Sequence, residues 1–459
     1  MPTNIDELIA RARSAQEEIE YWPQEKCDQL AAAAGWETYK RAEEIARLAV
    51  EETGMGVYEH KLVKHQKKTL GVLRDMQGVK TTGVIEEDPD KGLIKMAKPV
   101  GVIGALTPVT NCEATLLAKA LPALKCRNAI IFAPHPKAKK TAKLVVESMR
   151  AGLEKIGAPL DLIQTIEEPS IELAKELMAK ADLVVATGGG PMVKSAYSSG
   201  TPAYGVGAGN AVVIVDESAD LAGAAEKIYL GKTFDHASSC SSENSVILLE
   251  SIYDEMLAEL QKQGGYLCSE EERKKLKEAM WPDGVHLNKD IVVQPVEKIA
   301  EMAGIDIPEG TTFLMVKGQT IGPEDPFCKE KLSLVLTVWQ SGDFEEAVGM
   351  VEAITAINGR GHSCGIHTED EEHILELGRR VKASRIMVNQ PQSYGNSGNY
   401  NNGMPFTLTL GCGTWGGNIT TENIHWKHYL NVTWISKPIE PLEPDEEALF
   451  GDYWEKYGK

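Results

Sequence analysis

Cys240 lies in the segment TFDHASSCSSENSV, flanked by Ser238, Ser239, Ser241 and Ser242 and followed at once by an apolar run. A thiol with so little bulk around it suits a nucleophile that a carbonyl carbon must approach closely. The same setting suits a small buried cysteine, the commoner role, and Cys27, Cys112, Cys126, Cys268, Cys328, Cys364 and Cys412 are read that way. A second chemical signal is Gly188, Gly189 and Gly190, which follow Thr187 at the end of LVVAT and precede the helical stretch Met192 to Tyr197. Such a turn lets backbone N–H groups approach a dinucleotide phosphate. A tight strand-to-helix turn needs glycine in any case, and no G-x-G-x-x-G follows VGVIGAL, so both readings stay open. The ten histidines include no H-x-x-x-H or H-E-x-x-H. His362 with His367 and His425 with His428 are read as core or surface histidines, and no metal is expected.

The elements that must position these residues are legible in the periodicity. Residues 5 to 51 carry apolar positions at helical spacing, interrupted by Pro23, and another helical stretch runs from Glu59 to Met76. From Pro99 onward short apolar strands alternate with helical segments: VGVIGAL, Glu113 to Leu124, AIIFAP, Ala138 to Leu153, LIQTI, Ile171 to Ala179 and LVVATG. That alternation predicts a parallel α/β sheet with ligands at the carboxyl ends of its strands. The turns Thr107 to Asn111, Pro134 to Pro136 and Thr187 to Gly190 then share one rim. After AVVIVD a second α/β section begins, with Ala219 to Phe234, NSVILLE, a helix from Ile252, LSLVLTVW and SRIMVNQ. GVIEEDPDKGLIKMAKPV reads as a hairpin and KHYLNVTWIS as a further strand, together a small third sheet; the Pro-rich tail from Lys437 reads as an extended surface arm.

The chain has 459 residues, enough for two or three domains. Its 48 Lys+Arg against 67 Asp+Glu give a net charge of −19, which repels phosphate backbones and anionic lipid, so no nucleic-acid partner is expected. An anionic substrate would need a local cationic or donor-rich pocket that outweighs this field. The opening MPTNIDELIARARSAQEEIEYW is an acidic amphipathic helix rather than a secretory leader, and the longest apolar runs are of strand length, so no membrane span is expected. Dispersed cysteines with no C-x-x-C pair fit reduced thiols in a cytoplasmic protein.

From about Lys98 to His428 the chain resembles the aldehyde dehydrogenase superfamily, within it the CoA-acylating branch. The segments that carry the resemblance are PVGVIGALTPVTNCEA, RNAIIFAPHPKAKKTA, VATGGGPMVKSAY, GVGAGNAVVIVD, SSCSSENSVI, EKLSLVLTVW, GRGHSCGIHTED and LGCGTWGGNITTENI. The region up to His428 is close in texture to the aldehyde-oxidising half of bifunctional aldehyde/alcohol dehydrogenases. The ending NGMPFTLTLGCGTWGGNITTENIHWKHYLNV is more similar to acylating members that oxidise sulfoacetaldehyde.

The resemblance implies an α/β fold: a dinucleotide-binding domain over residues 1–84 and 101–208, a catalytic domain over 209–408, oligomerisation strands at 85–100 and 425–440, and a C-terminal arm at 441–459. It makes Cys240 the nucleophile and Asn111, with the Cys240 N–H, the donor to the oxyanion. It places Gly205 where hydrolytic members carry a Glu general base, 35 residues before Cys240 (240 − 205). A thioester lacking that base is expected to pass to CoA rather than to water. Glu330 is implied to hold ribose, despite Leu334 where the family usually has Pro, and His135 stands where many relatives have a ribose-binding Lys. Thr107, Pro108, Pro136, Thr187 and Gly188 to Gly190 complete the expected cofactor rim. Lys137, Lys139 and Lys140 leave NAD against NADP open. The polar loops Gly359 to His362 and NQPQSYGNSGNYNNG are expected to hold a small, anionic aldehyde, with Arg360, His362, Asn389 and Tyr394 as candidates. Sulfoacetaldehyde is the leading substrate, with acetaldehyde, propionaldehyde or succinate semialdehyde as alternatives. Rival readings are a hydrolytic enzyme using a base such as Glu243 and a catalytically silent dinucleotide-binding scaffold. A homodimer or homotetramer is expected, because an isolated hairpin leaves a strand edge unpaired.

Overall fold

Pro23 and Gly54 punctuate the N-terminal region into separate helices. α1 (Ile5–Ile19) starts at Asn4, whose side chain accepts from the Glu7 N–H. α2 (Gln24–Lys40) follows Pro23, and α3 (Ala42–Thr53) ends at Gly54, whose φ of +67° a residue with a β-carbon would adopt only with strain. α4 (Tyr58–Met76) comes next. The computed structural model describes residues 3–459. Buried Ile5, Ile19, Leu30 and Ile45 share one core with the strands of the first sheet, so these helices are part of that domain.

β1 (Gly83–Asp88) and β2 (Leu93–Pro99) form an antiparallel hairpin closed at Pro89–Gly92. The first α/β unit comprises β3 (Val102–Thr107), α5 (Cys112–Lys125), β4 (Ala129–Pro134), α6 (Lys139–Lys155), β5 (Ile163–Thr165), α7 (Ile171–Lys180), β6 (Leu183–Thr187), α8 (Gly190–Tyr197) and β7 (Ala203–Val206). Its strands are all parallel in the order β5-β4-β3-β6-β7. β3 and β4 are buried along their whole length, which is why they read as unbroken apolar runs. The chain builds outward from β3 to β5 and then returns to place β6 beside β3. That reversal opens a crevice at the carboxyl ends of β3 and β6, where Thr107 and Thr187 stand.

The segment 207–210 crosses to a second parallel sheet. This sheet contains β8 (Ala211–Val215), β9 (Glu243–Leu249), β10 (Gly265–Leu267), β11 (Phe313–Lys317), β12 (Val335–Ser341), β13 (Cys364–His367) and β14 (Ile386–Val388), in the order β10-β11-β12-β9-β8-β13-β14. α9 (Leu221–Thr233) links β8 to the segment before β9. β7, β10 and β13 have only 4, 3 and 4 residues, too few for a periodicity of two to register in the sequence. Cys240 precedes β9, so the amino edge of the second sheet faces the carboxyl edge of the first across one cleft.

β15 (Leu430–Ser436) adds to β2 in antiparallel register from Leu430 opposite Pro99 to Ser436 opposite Leu93, completing a three-stranded sheet. The tail departs from the sequence expectation: it is extended only to Asp445, whose side chain caps a helix over Glu446–Tyr457. That helix follows the helical rule because its first turn is acidic and no proline lies beyond Pro444. No helix is long and apolar enough to cross a membrane among the described residues.

Candidate active site

The segment that delivers Cys240 is strained. Asp235, His236 and Ala237 adopt φ of +51°, +51° and +59°, three successive non-glycine residues in the left-handed region. Each such residue costs of order 1 kcal/mol or more and persists only where its surroundings over-determine it. Here α4 supplies the clamp. The buried Asp235 carboxylate accepts from the Val57 N–H at 2.8 Å, Lys61 Nζ at 3.1 Å, Lys64 Nζ at 2.5 Å and Ser238 Oγ at 2.8 Å. Its own N–H donates to His60 Nδ1 at 2.9 Å. Burial alone would raise the Asp235 pKa, but Lys64 and Lys61 outweigh it and hold the carboxyl below the usual range. Glu113, 3.8 Å from Lys61 and 3.4 Å from Lys64, completes a buried set of two cations and two anions.

Asn111 stands at the mouth of α5. Its Oδ1 accepts from Lys64 Nζ at 2.5 Å and Ser238 Oγ at 3.3 Å, and its Nδ2 donates to the Ser238 carbonyl at 3.1 Å and Thr110 Oγ1 at 3.3 Å. An ammonium can only donate, so Lys64 determines which way the amide faces and turns its NH₂ toward the Cys240 loop.

Cys240 is partly exposed, and His362 Nε2 lies 3.1 Å from its Sγ, with His362 Nδ1 2.9 Å from Ser363 Oγ. Burial, reinforced by Glu330 and Cys412, pushes the thiol up to about 12, while burial and Arg385 push His362 down to about 3. The resting pair is therefore a thiol and a neutral imidazole, and the proton moves only as sulfur attacks.

Two cavities meet here. One, of about 280 Å³, is lined by Cys240, Pro108, His135, Thr187, Gly188, Gly189 and Glu330. The other, of about 250 Å³, is lined by Lys64, Lys67, Lys68, Ser393 and Tyr394. Asn111, Ser238, Ser239, Ser397 and Leu408 belong to both.

The first cavity fits a dinucleotide. It opens at the reversal of strand order, beside the N-terminus of α8, where Gly188 and Gly189 line it. Glu330 is its sole carboxylate; one oxygen accepts from the Gly209 N–H at 3.0 Å and the other has no hydrogen-bond partner among the described residues. Burial pushes Glu330 up to about 8. Lys139 pairs with Glu168 at 2.5 Å, and the Lys140 and Thr141 N–H groups both donate to Glu52 at 2.7 Å, so the start of α6 already holds an anion.

Other candidates fall elsewhere. Thr107 is buried behind Pro108, and Pro136 lies in the turn after His135; neither lines the cavity. Gly190 and Arg360 line a neighbouring cavity with Tyr197 and Trp415. Asn389 lines no part of either cavity; its amide bonds the Thr368 backbone at 2.7 and 3.0 Å, bracing the end of β14. His362 touches the thiol itself rather than only lining a substrate loop. The proposed rival base Glu243 is buried, accepts from the Gln392 N–H at 2.7 Å and reaches neither cavity. At Gly205 a β-carbon would come within 2.8 Å of the Tyr197 and Val193 side chains, so a glutamate there would require both to shift. His425, His428 and Glu422 bring ligand-type atoms within 4.8 Å of one another, but Glu422 also pairs with Lys427 at 2.6 Å, which opposes a cation. Sequence reasoning missed Lys64, Lys67 and Lys68, although Lys61, Lys64 and Lys68 recur at helical spacing on α4.

A thiol, an amide donor and a dinucleotide crevice at the junction of two parallel sheets define an aldehyde-oxidising site, and the chain belongs to the aldehyde dehydrogenase family, whose family model matches residues 2–271. It is 53% identical to a sulfoacetaldehyde dehydrogenase from Acholeplasma sp, covering 97% of this chain and 93% of the relative. It is 50% identical to an acylating sulfoacetaldehyde dehydrogenase from Bilophila wadsworthia, covering 99% of each. An acetylating aldehyde dehydrogenase from Geobacillus thermoglucosidasius superposes with a TM-score of 0.93 at 37% identity, over 96% of this chain and 98% of that one.

Proposed function

We propose that this enzyme converts sulfoacetaldehyde, a small anionic aldehyde, to its acyl-CoA, using NAD⁺ or NADP⁺ and CoA. The observation that carries the acylating reading is the pairing of Cys240 and His362 at 3.1 Å beside a Gly205 that offers no carboxylate to activate water and whose side-chain neighbours would crowd one. The choice among aldehydes is supported by the two relatives and by the lysine- and serine-lined second cavity.

Cys240 Sγ bonds to the aldehyde carbon as its proton passes to His362 Nε2. The alkoxide so formed accepts from Asn111 Nδ2, which gives up its weaker bond to Thr110, and from the Cys240 N–H; such donors contribute roughly 10²- to 10³-fold in rate. The first cavity would hold NAD(P)⁺, which would supply the hydride acceptor, and Glu330 and His135, which line that cavity, would hold its ribose. Hydride loss leaves a thioester on Cys240, and His362 releases its proton to solvent. His362 then takes the proton of CoA, whose sulfur attacks the thioester, and returns it to the departing Cys240. The net yield is acyl-CoA, reduced cofactor and one proton, and the near-equal energy of the two thioesters makes the sequence reversible.

Initial rates with sulfoacetaldehyde, propionaldehyde and succinate semialdehyde, each with NAD⁺ or NADP⁺ and with CoA present or absent, test this reading. Turnover is expected only with CoA and fastest with sulfoacetaldehyde. Free acid formed as fast without CoA would overturn the acylating mechanism, and a preference for propionaldehyde would overturn the substrate.

The protein is further read as a cytoplasmic homodimer or homotetramer. The eight cysteines form no disulfide, in keeping with a reducing compartment. β15 leaves one edge unpaired and exposes Val432, Trp434 and Ile435, a surface suited to a second copy.

A further inference from the structure

The second cavity carries a charge imbalance that the reaction steps do not use. Lys61 and Lys64 are balanced by Asp235 and Glu113. Lys67 and Lys68 are not: among the described residues neither has a carboxylate within 4.0 Å, and no Asp or Glu lines the cavity. Buried Lys68 spends its donors on the Ser397 carbonyl at 2.6 Å, Ser397 Oγ at 2.7 Å and the Gly398 carbonyl at 3.3 Å. Half-buried Lys67 donates to Asn399 Oδ1 and lies 5.4 and 5.3 Å from the ring centroids of Tyr394 and Tyr400, with ammonium hydrogens to spare. Burial lowers the pKa of Lys67 and, more strongly, of Lys68, and an anion bound beside Lys67 would favour its charged form.

A second observation points to the same ligand. Ser393 lines this cavity, is 6% exposed, and its Oγ has no hydrogen-bond partner among the described residues. Ser397 Oγ accepts from Lys68, which leaves its hydroxyl hydrogen free to donate. One ammonium and two hydroxyls thus surround a space that opens on Asn111 and Ser239. In a chain of net charge −19, this is the local concentration of positive charge that an anionic aldehyde requires.

Building on the proposed function, we propose that Lys67, with Ser393 and Ser397, forms an anion subsite that holds the sulfonate or carboxylate end of the aldehyde while its carbonyl lies at Cys240. Lys68 is a positioning residue, fixing Ser397 without touching the substrate.

The test is kcat/KM for sulfoacetaldehyde, succinate semialdehyde and propionaldehyde in the wild type, Lys67→Met, Lys67→Arg and Ser393→Ala. For Lys67→Met the ratio of the preferred anionic aldehyde to propionaldehyde is expected to fall about 10- to 100-fold, mostly through KM, and Lys67→Arg is expected to recover part of it. Ser393→Ala is expected to lower the same ratio by a smaller factor. In the wild type, 2-hydroxyethanesulfonate is expected to compete with propionaldehyde, where ethanol at equal concentration does not; this measurement needs no variant to fold. An unchanged ratio in Lys67→Met, or no competition by the sulfonate, overturns the subsite. The wild-type panel alone judges the substrate: preference for succinate semialdehyde with loss in Lys67→Met sinks sulfoacetaldehyde but keeps the subsite, and preference for propionaldehyde sinks both.

Discussion

His362 Nε2 lies 3.1 Å from Cys240 Sγ, although 122 residues separate them. With the thiol pushed up to about 12 and the imidazole down to about 3, neither is charged near neutrality. Two consequences follow for experiment. His362→Ala is expected to lower kcat/KM by about 10²- to 10⁴-fold, the usual worth of a general base. Alkylation of Cys240 by iodoacetamide is expected to rise continuously with pH, because thiolate accumulates only as pH approaches the raised thiol value. A plateau between about pH 6 and 8 would instead reveal a standing imidazolium–thiolate pair.

Gly205 is predicted to accept a larger residue only at a cost in stability. With Tyr197 and Val193 both 2.8 Å from the position of an added β-carbon, Gly205→Ala should lower stability by about 1–3 kcal/mol, read as a drop in Tm. Gly205→Glu should not confer CoA-independent acid production. An active hydrolytic Gly205→Glu enzyme would show that the glutamate site is open after all.

Asp235→Asn removes the anion that compensates Lys61 and Lys64 and releases the left-handed loop before Cys240. Losing one partner of a buried ion pair typically costs about 3–5 kcal/mol. Because the folded carboxyl titrates below its unfolded value, its stabilisation is complete above the ordinary aspartate pKa and declines as pH falls through the folded one. Wild-type stability should therefore drop on acidification below about pH 4, and Asp235→Asn should flatten that slope, as urea titrations across pH would show. A slope equal to that of the wild type would refute this assignment.

The exposed edge of β15 makes an assembly prediction. Trp434→Lys with Val432→Glu places charge on a strand whose outer edge is unpaired. Sedimentation velocity is expected to show an oligomer for the wild type and a shift toward monomer for the double variant. A wild type that sediments as a monomer at micromolar concentration would remove the proposal.

Much of this protein was readable from the order of its residues. Unbroken apolar runs such as AIIFAP marked buried parallel strands because both faces of the sheet are covered by helices. Cys240, Asn111, Glu330 and the Thr187–Gly189 turn were all singled out by motif, and all line the first cavity. The tail helix over Glu446–Tyr457 was missed because its prolines drew attention to an extended chain and its apolar residues pack into no core.

The linear chain determined the alternation of strands and helices through its periodicity, while the thiol at position 240 and the glycine at position 205 were singled out by resemblance to a family rather than by local composition. Only the folded arrangement decided that His362 meets Cys240, that Asn389 turns away to Thr368, and that α4 points a lysine-rich face inward. Lysines at helical spacing ordinarily face water, and nothing local distinguishes a solvated face from one buried against a cavity. That distinction is made by the strained 235–237 loop and the 393–399 segment packing onto α4, contacts between residues far apart in sequence whose energies exist only once both are in place.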